Sequence, residues 1–260
     1  MMAKSSDSLA ALSVIVPCFN EETVIAECLE SVKFADELVL VDSFSTDRTL
    51  EIARRYTNRI LQHEFWSHGA QNNWAIPQAK HDWVLIVDAD ERVTPELAAE
   101  IQQAMARNDF AAYTMGRLSW YCGKFIQHAG WRPDYVLRLF RRDCAQFSND
   151  LVHERVMTQQ PVGQLHHHLL HYSYQDFSQV LAKVDAYSSA AAQQAFNRGE
   201  RGSMGKAIGH GAWAFVRTYV LRAGFLDGAH GLALAISNAQ TSYYKYVKLW
   251  AMAQPAPKAR

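Results

Sequence analysis

Three short apolar runs, Leu12–Val16, Leu38–Val41 and Trp83–Val87, constrain this chain more than any other feature of its 260 residues. Each is followed by a segment patterned for a helix. Glu22–Val32 follows the first and Asp47–Tyr56 the second, with Ser45 or Thr46 as the expected N-cap. After the third, Thr94-Pro95-Glu96 marks a helix start, because proline is tolerated in a first turn where its missing N–H costs nothing. Arg59–Gln62 is expected as a short strand and Gly69–Ala79 as a further helix. Strands separated by helices of this length form βαβ units, so the spacing predicts an α/β fold with a mainly parallel sheet flanked by helices.

In such sheets ligands bind just past the carboxyl ends of the strands. The unusual polar residues fall there. Pro17-Cys18-Phe19-Asn20-Glu21-Glu22 follows the first run, Asp42-Ser43-Phe44-Ser45-Thr46-Asp47 the second, and Asp88-Ala89-Asp90-Glu91 the third. Asp88-x-Asp90 carries the strongest chemical signal. Two carboxylates at i and i+2 can bring hard oxygen ligands to one side of a bend, which suits Mn²⁺ or Mg²⁺ completed by substrate phosphates. The same spacing also occurs in plain turns and in phosphatases with an aspartate nucleophile. Two polar loops ahead of the pair favour a metal bridge to a nucleotide diphosphate.

Formal net charge is zero, so nothing in the balance calls for nucleic acid. The charge is unevenly spread, with 16 Lys+Arg against 22 Asp+Glu in residues 1–175 and 10 against 4 in 176–260. This divides the chain into a domain over 1–175 and a basic, mostly helical tail over 176–260. Cys18, Cys28, Cys122 and Cys144 have no zinc-type spacing and are too few for a disulfide framework, which points to a reducing cytoplasm. Leu9–Phe19 reads as a first strand rather than a signal peptide, since no small-residue cleavage site follows. A membrane span needs roughly 20 apolar residues, and 208–250 is broken by Arg217, Arg222, Asp227, Lys245 and Lys248.

The strings SVIVPCFNEE, LVLVDSFSTDRT and DWVLIVDADE, in that order, resemble the nucleotide-binding half of family-2, GT-A-fold inverting glycosyltransferases over about residues 12–175. The resemblance implies a uridine pocket lined by Pro17, Phe19, Asn20 and Glu22, with Asp42 accepting a hydrogen bond from the base. It places Asp88 near the ribose or the metal, Asp90 on the metal, and Asn73 near the donor sugar. Asn72 stands where the family often has an arginine. A late histidine commonly joins the metal in this fold, and His171 matches that place. The family takes its catalytic base from a short acidic motif beyond the metal site. Glu154 in Val152-His153-Glu154-Arg155 matches it, with Asp150 in reserve.

Arg132 and Arg138 are candidates for a donor pyrophosphate or a phosphorylated acceptor, because the planar guanidinium fork matches phosphate oxygens. Nearby Trp120, Tyr121 and Trp131 are candidates for stacking on a sugar. His166, His167, His168 and His171 are not expected to form a separate zinc site, since no cysteine accompanies them. In the tail, Trp213, Phe215, Tyr219, Phe225, Tyr243, Tyr244, Tyr246 and Trp250 are interleaved with basic residues. That composition suits amphipathic helices lying on an anionic membrane surface. With Gly224–Gly228 and the VHERV segment, the chain is similar to lipopolysaccharide inner-core β-1,4-glucosyltransferases. The resemblance implies a UDP-sugar donor, a lipid-linked saccharide acceptor, and a cytoplasmic enzyme held peripherally at the inner membrane. Two other readings stand beside it: a polyprenyl-phosphate glycosyltransferase and a non-catalytic nucleotide-sugar-binding protein.

Overall fold

The structure, a computed structural model, describes residues 10–148 and 155–254; Asp150 and Glu154 lie outside them. In chain order the elements are β1 (Leu12–Cys18), α1 (Ile25–Ser31), β2 (Glu37–Asp42), α2 (Thr49–Ala53), β3 (Ile60–Gln62) and α3 (His68–Ala75). There follow β4 (Trp83–Ile86), β5 (Glu91–Val93), α4 (Pro95–Arg107), β6 (Ala112–Tyr121), β7 (Lys124–Phe125), β8 (Tyr135–Arg141) and β9 (Ala145–Phe147). The chain continues through β10 (Val156–Thr158), β11 (Val162–Tyr174), α5 (Phe177–Asn197), α6 (Met204–Val216) and α7 (Ala229–Met252).

The main sheet runs β3-β2-β1-β4-β8-β6-β11-β5, with β7 paired to β6. It is mixed. The pairings β1–β2, β1–β4 and β2–β3 are parallel, whereas β4–β8, β6–β8 and β5–β11 are antiparallel. The parallel strands are mostly apolar because helices cover both faces. Val14, Leu40, Trp83 and Leu85 pack with Ile25 and Leu29 of α1 and with Leu97 and Ile101 of α4. Their alternates Ile15, Val39, Val41, Val84 and Ile86 pack on the opposite face with Ala75 and Ile76. Each such side chain contributes roughly 1.5–3 kcal/mol by leaving water.

Local boundaries differ from the sequence expectation where the loops carry tertiary hydrogen bonds. The first helix begins at Ile25 rather than Glu22, because Glu22 is tied to the loop after β2. Ser45 and Thr46 do not cap α2. Its N-cap position is Arg48, and Asp47 Oδ1 accepts from the Thr49 amide at 2.9 Å. Ser67 caps α3 by accepting from Ala70, and Pro77 ends it in a 3-10 turn at Ile76–Gln78. The predicted α4 start holds, with Thr94 accepting from the Leu97 amide and Asn108 closing the helix in the left-handed region. Strand β5 was not expected. It pairs Glu91 with His171 on β11.

The chain forms two compact units. The first runs to Arg117 and resumes over Asp134–His171. The second takes Leu118–Pro133 and the chain from Tyr172 onward, so 118–133, placed by sequence in the first domain, belongs with the tail. In the second unit α7 packs against α5 and α6, and Tyr121, Ile126, Val180, Val184 and Leu234 form a core. A π-helical turn, Arg217–Leu221, extends α6. Among the described residues no helix is long and apolar enough to cross a membrane, and all four cysteines are free thiols.

Candidate active site

The loops after β1 and β2 are fastened to each other. The Asn20 amide donates to Ser45 Oγ at 2.9 Å, while Asn20 Oδ1 accepts from the Thr46 amide at 2.8 Å. The Glu22 amide donates to Asp47 Oδ2, and Glu22 Oε2 accepts from the Arg48 amide, both at 3.0 Å. Asn20 and Phe44 sit at φ 54° and 62°. Asparagine tolerates that left-handed conformation, but phenylalanine adopts it at a cost. These bonds hold Phe44 and Phe19 half-exposed at the loop tips. Asp42, at the end of β2, is fully buried; it accepts from the Ser45 amide and, through Oδ2, from Gln62 Nε2 at 2.9 Å.

Between these loops and the end of β4 lies a cavity of about 590 Å³, a volume suited to a small-molecule ligand. Pro17, Phe19, Glu21, Asp88, Asp90 and His171 line it, with His68 and Gln71 from the first turns of α3. His171 Nε2 lies 3.2 Å from Asp90 Oδ2. Glu21, half-buried, has its pKa pushed up to about 7, first by burial and then by the charges of Asp90, Asp47 and Asp88. A carboxyl perturbed by burial and by neighbouring like charge marks a candidate functional site. Among the described residues, no three His, Cys, Asp or Glu side chains already converge as a ligand set.

Behind Asp88 stands an ion-pair network. Arg138 of β8 donates through Nη2 to Asp88 and, at 3.2 Å, to Glu91 Oε1. Arg117 of β6 reaches Glu91 at 3.4 Å and Asp134 at 2.8 Å. Glu91 is wholly buried, and burial pushes its carboxyl pKa up while Arg138 pulls against it. For Arg138 burial opposes the charge, but Asp88 and Glu91 outweigh it and keep the guanidinium protonated. A second cavity, about 600 Å³, shares Asp88 and His68 with the first and is lined by Asn72, Arg117, Tyr135, Arg138 and Arg155 among others.

Of the residues expected here, Pro17, Phe19, Asp88, Asp90 and His171 are brought together in the first cavity, and Arg138 lines the second. Asn20, Glu22 and Asp42 direct side-chain oxygens to loop backbone. Asn73 braces α3 to β9 by donating to the Phe147 carbonyl at 2.9 Å and accepting from its amide at 2.8 Å. Arg132 belongs to the second unit, where it donates to Gln127, and lines neither cavity. Glu154 lies outside the described residues. Sequence reasoning missed Glu21, His68, Gln71 and Arg117. Glu21 stood within the right cluster, but nothing local distinguished it from Glu22.

A carboxylate pair just past a parallel strand, facing a cavity walled by the two preceding strand-end loops, defines an α/β ligand-binding site of the carboxyl-edge class. The chain belongs to glycosyl transferase family 2, whose pattern it matches over residues 13–162. It is 28% identical over 253 residues to the uncharacterized glycosyltransferase RT0209 of Rickettsia typhi, covering 92% of this chain and 86% of that one. It is 27% identical over 247 residues to the lipopolysaccharide core biosynthesis glycosyltransferase LpsC of Rhizobium meliloti, covering 92% of each. Among solved structures, Staphylococcus aureus TarS 1–349 aligns over 95% of this chain and 93% of its own, at 16% identity and TM-score 0.48.

Proposed function

We propose that this family-2 glycosyltransferase moves glucose from UDP-glucose, with inversion, onto a hydroxyl of a heptose in a lipopolysaccharide core. The observation that carries the reading is the first cavity, where Asp88, Asp90 and His171 face the loop of Pro17, Phe19 and Glu21. The likeness to LpsC supports the acceptor class. Asp90 and His171, 3.2 Å apart, with Asp88 lining the same cavity, are the residues that would hold Mn²⁺ or Mg²⁺, whose preference for hard oxygen and imidazole ligands they suit. When bound, such an ion neutralises charge on the leaving nucleotide diphosphate. Phe19 and Pro17 form the apolar wall beside which the uracil lies. Asp42 fixes the second loop by accepting from Ser45, so that the pocket is rigid before the donor enters.

Glu154 takes the proton from the acceptor hydroxyl as the anomeric carbon is attacked from the side opposite the departing diphosphate. The short acidic motif Val152-His153-Glu154-Arg155 supports this assignment. The test is product formation from a panel of UDP- and GDP-sugars with core saccharide acceptors, in Mn²⁺ or Mg²⁺ against chelator. Transfer from UDP-glucose should depend on the metal, and Glu154→Gln should slow it by roughly 10²–10⁴-fold with UDP affinity retained. Transfer only to a polyprenyl phosphate would move the protein to that acceptor class. Binding of UDP-glucose without turnover would make it a nucleotide-sugar-binding protein.

The tail is proposed as the contact with the cytoplasmic face of the inner membrane. Met204, Ile208, Trp213, Val216, Val220, Leu221, Phe225 and Leu226 are all exposed. Residues 201–226 contain Arg201, Lys206, Arg217 and Arg222 and no acidic residue. Apolar side chains with a basic surround fit an anionic lipid interface. The protein should float with vesicles containing anionic lipid and much less with zwitterionic ones. Replacing Val220, Leu221, Phe225 and Leu226 by serine should abolish flotation; unchanged flotation would remove this segment from the contact.

A further inference from the structure

The two cavities that meet at Asp88 have opposite electrical character. The first is walled by Glu21, Asp88 and Asp90. In the second, Asp88 is the one acidic residue among the described residues that line it, while Arg117, Arg138 and Arg155 are cationic. Two of these guanidiniums are held from behind. Glu91 and Asp134 grip Arg117, and Glu91 with Asp88 grips Arg138. Guanidiniums fixed in this way lose little freedom when an anion arrives, so their affinity is not spent on ordering them.

Two residues of the same lining carry buried polar atoms whose hydrogen-bonding capacity is unused. Asn72 is 2% exposed and Arg138 8%, yet Asn72 Oδ1 and Arg138 Nε are buried without a partner. A buried polar atom left unpaired is costly, and a ligand that supplies the missing partner recovers that cost. Arg138 Nε needs an acceptor. Asn72 Oδ1 needs a donor, which a sugar hydroxyl provides. Tyr135, half-exposed in the same lining, offers an aromatic face.

We infer that the second cavity is a subsite for an anionic sugar, one that carries a phosphate or carboxylate for the arginines and a hydroxyl for Asn72. This deepens the proposed reaction and rests on the donor occupying the first cavity. It makes the acceptor an acidic saccharide rather than a neutral one, recognised beside the residue that borders both cavities.

The test is ligand-observed NMR titration of the full-length protein with glucose 6-phosphate, glucuronate and glucose, each with and without saturating UDP and Mn²⁺. Glucose 6-phosphate, glucuronate or both should bind at least about tenfold more tightly than glucose, because charge-assisted hydrogen bonds are the stronger ones. Which of the two binds distinguishes phosphate from carboxylate recognition. Arg155→Gln, a change at an exposed position, should weaken the anionic sugar about tenfold. UDP titrated into the same variant reports that the fold is kept. Three results would overturn the subsite: glucose binding as well as the anions, Arg155→Gln and Arg117→Gln both leaving the anionic sugar unaffected, or UDP displacing it competitively. A wild-type protein that binds the anionic sugar but not UDP would instead sink the donor reading and leave the subsite standing.

Discussion

Arg138→Ala is expected to lower the free energy of unfolding by about 3–5 kcal/mol, the usual cost of removing one partner from a buried ion pair. The side chain is 10% exposed and donates to both Asp88 and the fully buried Glu91. Its loss leaves Glu91 with the Asp88 amide at 3.0 Å and with one cation, Arg117, whose contact is longer at 3.4 Å. Glu91 must then take up a proton or remain charged in a poorly solvated place, and either route weakens the fold. A double-mutant cycle separates this from lost packing. In the cycle of wild type, Arg138→Met, Glu91→Gln and the two combined, the double variant removes both charges and should be more stable than Arg138→Met alone, since stranding one partner of a buried pair costs more than removing both. Urea denaturation of the four proteins decides it. Equal losses in the single and double variants would mean that packing, not the unpaired charge, sets the cost.

The parallel core was legible because its information is local. Continuous apolar runs bounded by polar clusters locate β1, β2 and β4 and the edge on which a ligand sits. The Thr94-Pro95-Glu96 start is equally local, since capping needs only the next three residues. What escaped depends on pairing across the chain. Asn20 at φ 54° turns the first loop so that Glu21 enters the cavity and Glu22 turns to Arg48, and two adjacent glutamates cannot be told apart without that bend. Arg132 and Arg138 look alike in sequence, yet β8 carries only the second into the network beneath Asp88. The bracing of Asn73 to Phe147 was equally hidden, because the two are 74 residues apart.

The other large effect belongs to Asp90. On the proposed metal-assisted reaction, Asp90→Asn should lower transfer by roughly 10²–10⁴-fold, since several kcal/mol of charge stabilisation is at stake and each 1.36 kcal/mol is tenfold. The amide keeps the shape of the carboxylate and loses its charge, so calorimetric Mn²⁺ affinity should fall as well. A second readout comes from Glu21, whose pKa near 7 rests first on burial and next on Asp90. In metal-free protein a carboxyl raised in this way adds stability below its unfolded pKa of about 4.5, and that stability is lost as pH rises through about 7. Glu21 is only part-buried, so the swing is roughly 1–2 kcal/mol after allowance for solvent screening. Between pH 5 and 8 the melting temperature of the metal-free wild type should therefore fall. Asp90→Asn should flatten that fall and Glu21→Gln should abolish it. Saturating Mn²⁺ should reverse the trend in the wild type, because the cation binds the ionised cluster and releases its proton. If Asp90→Asn retained metal-dependent transfer with an unchanged pH profile, the cation would have to be held elsewhere, and the first cavity would be left with the nucleotide alone.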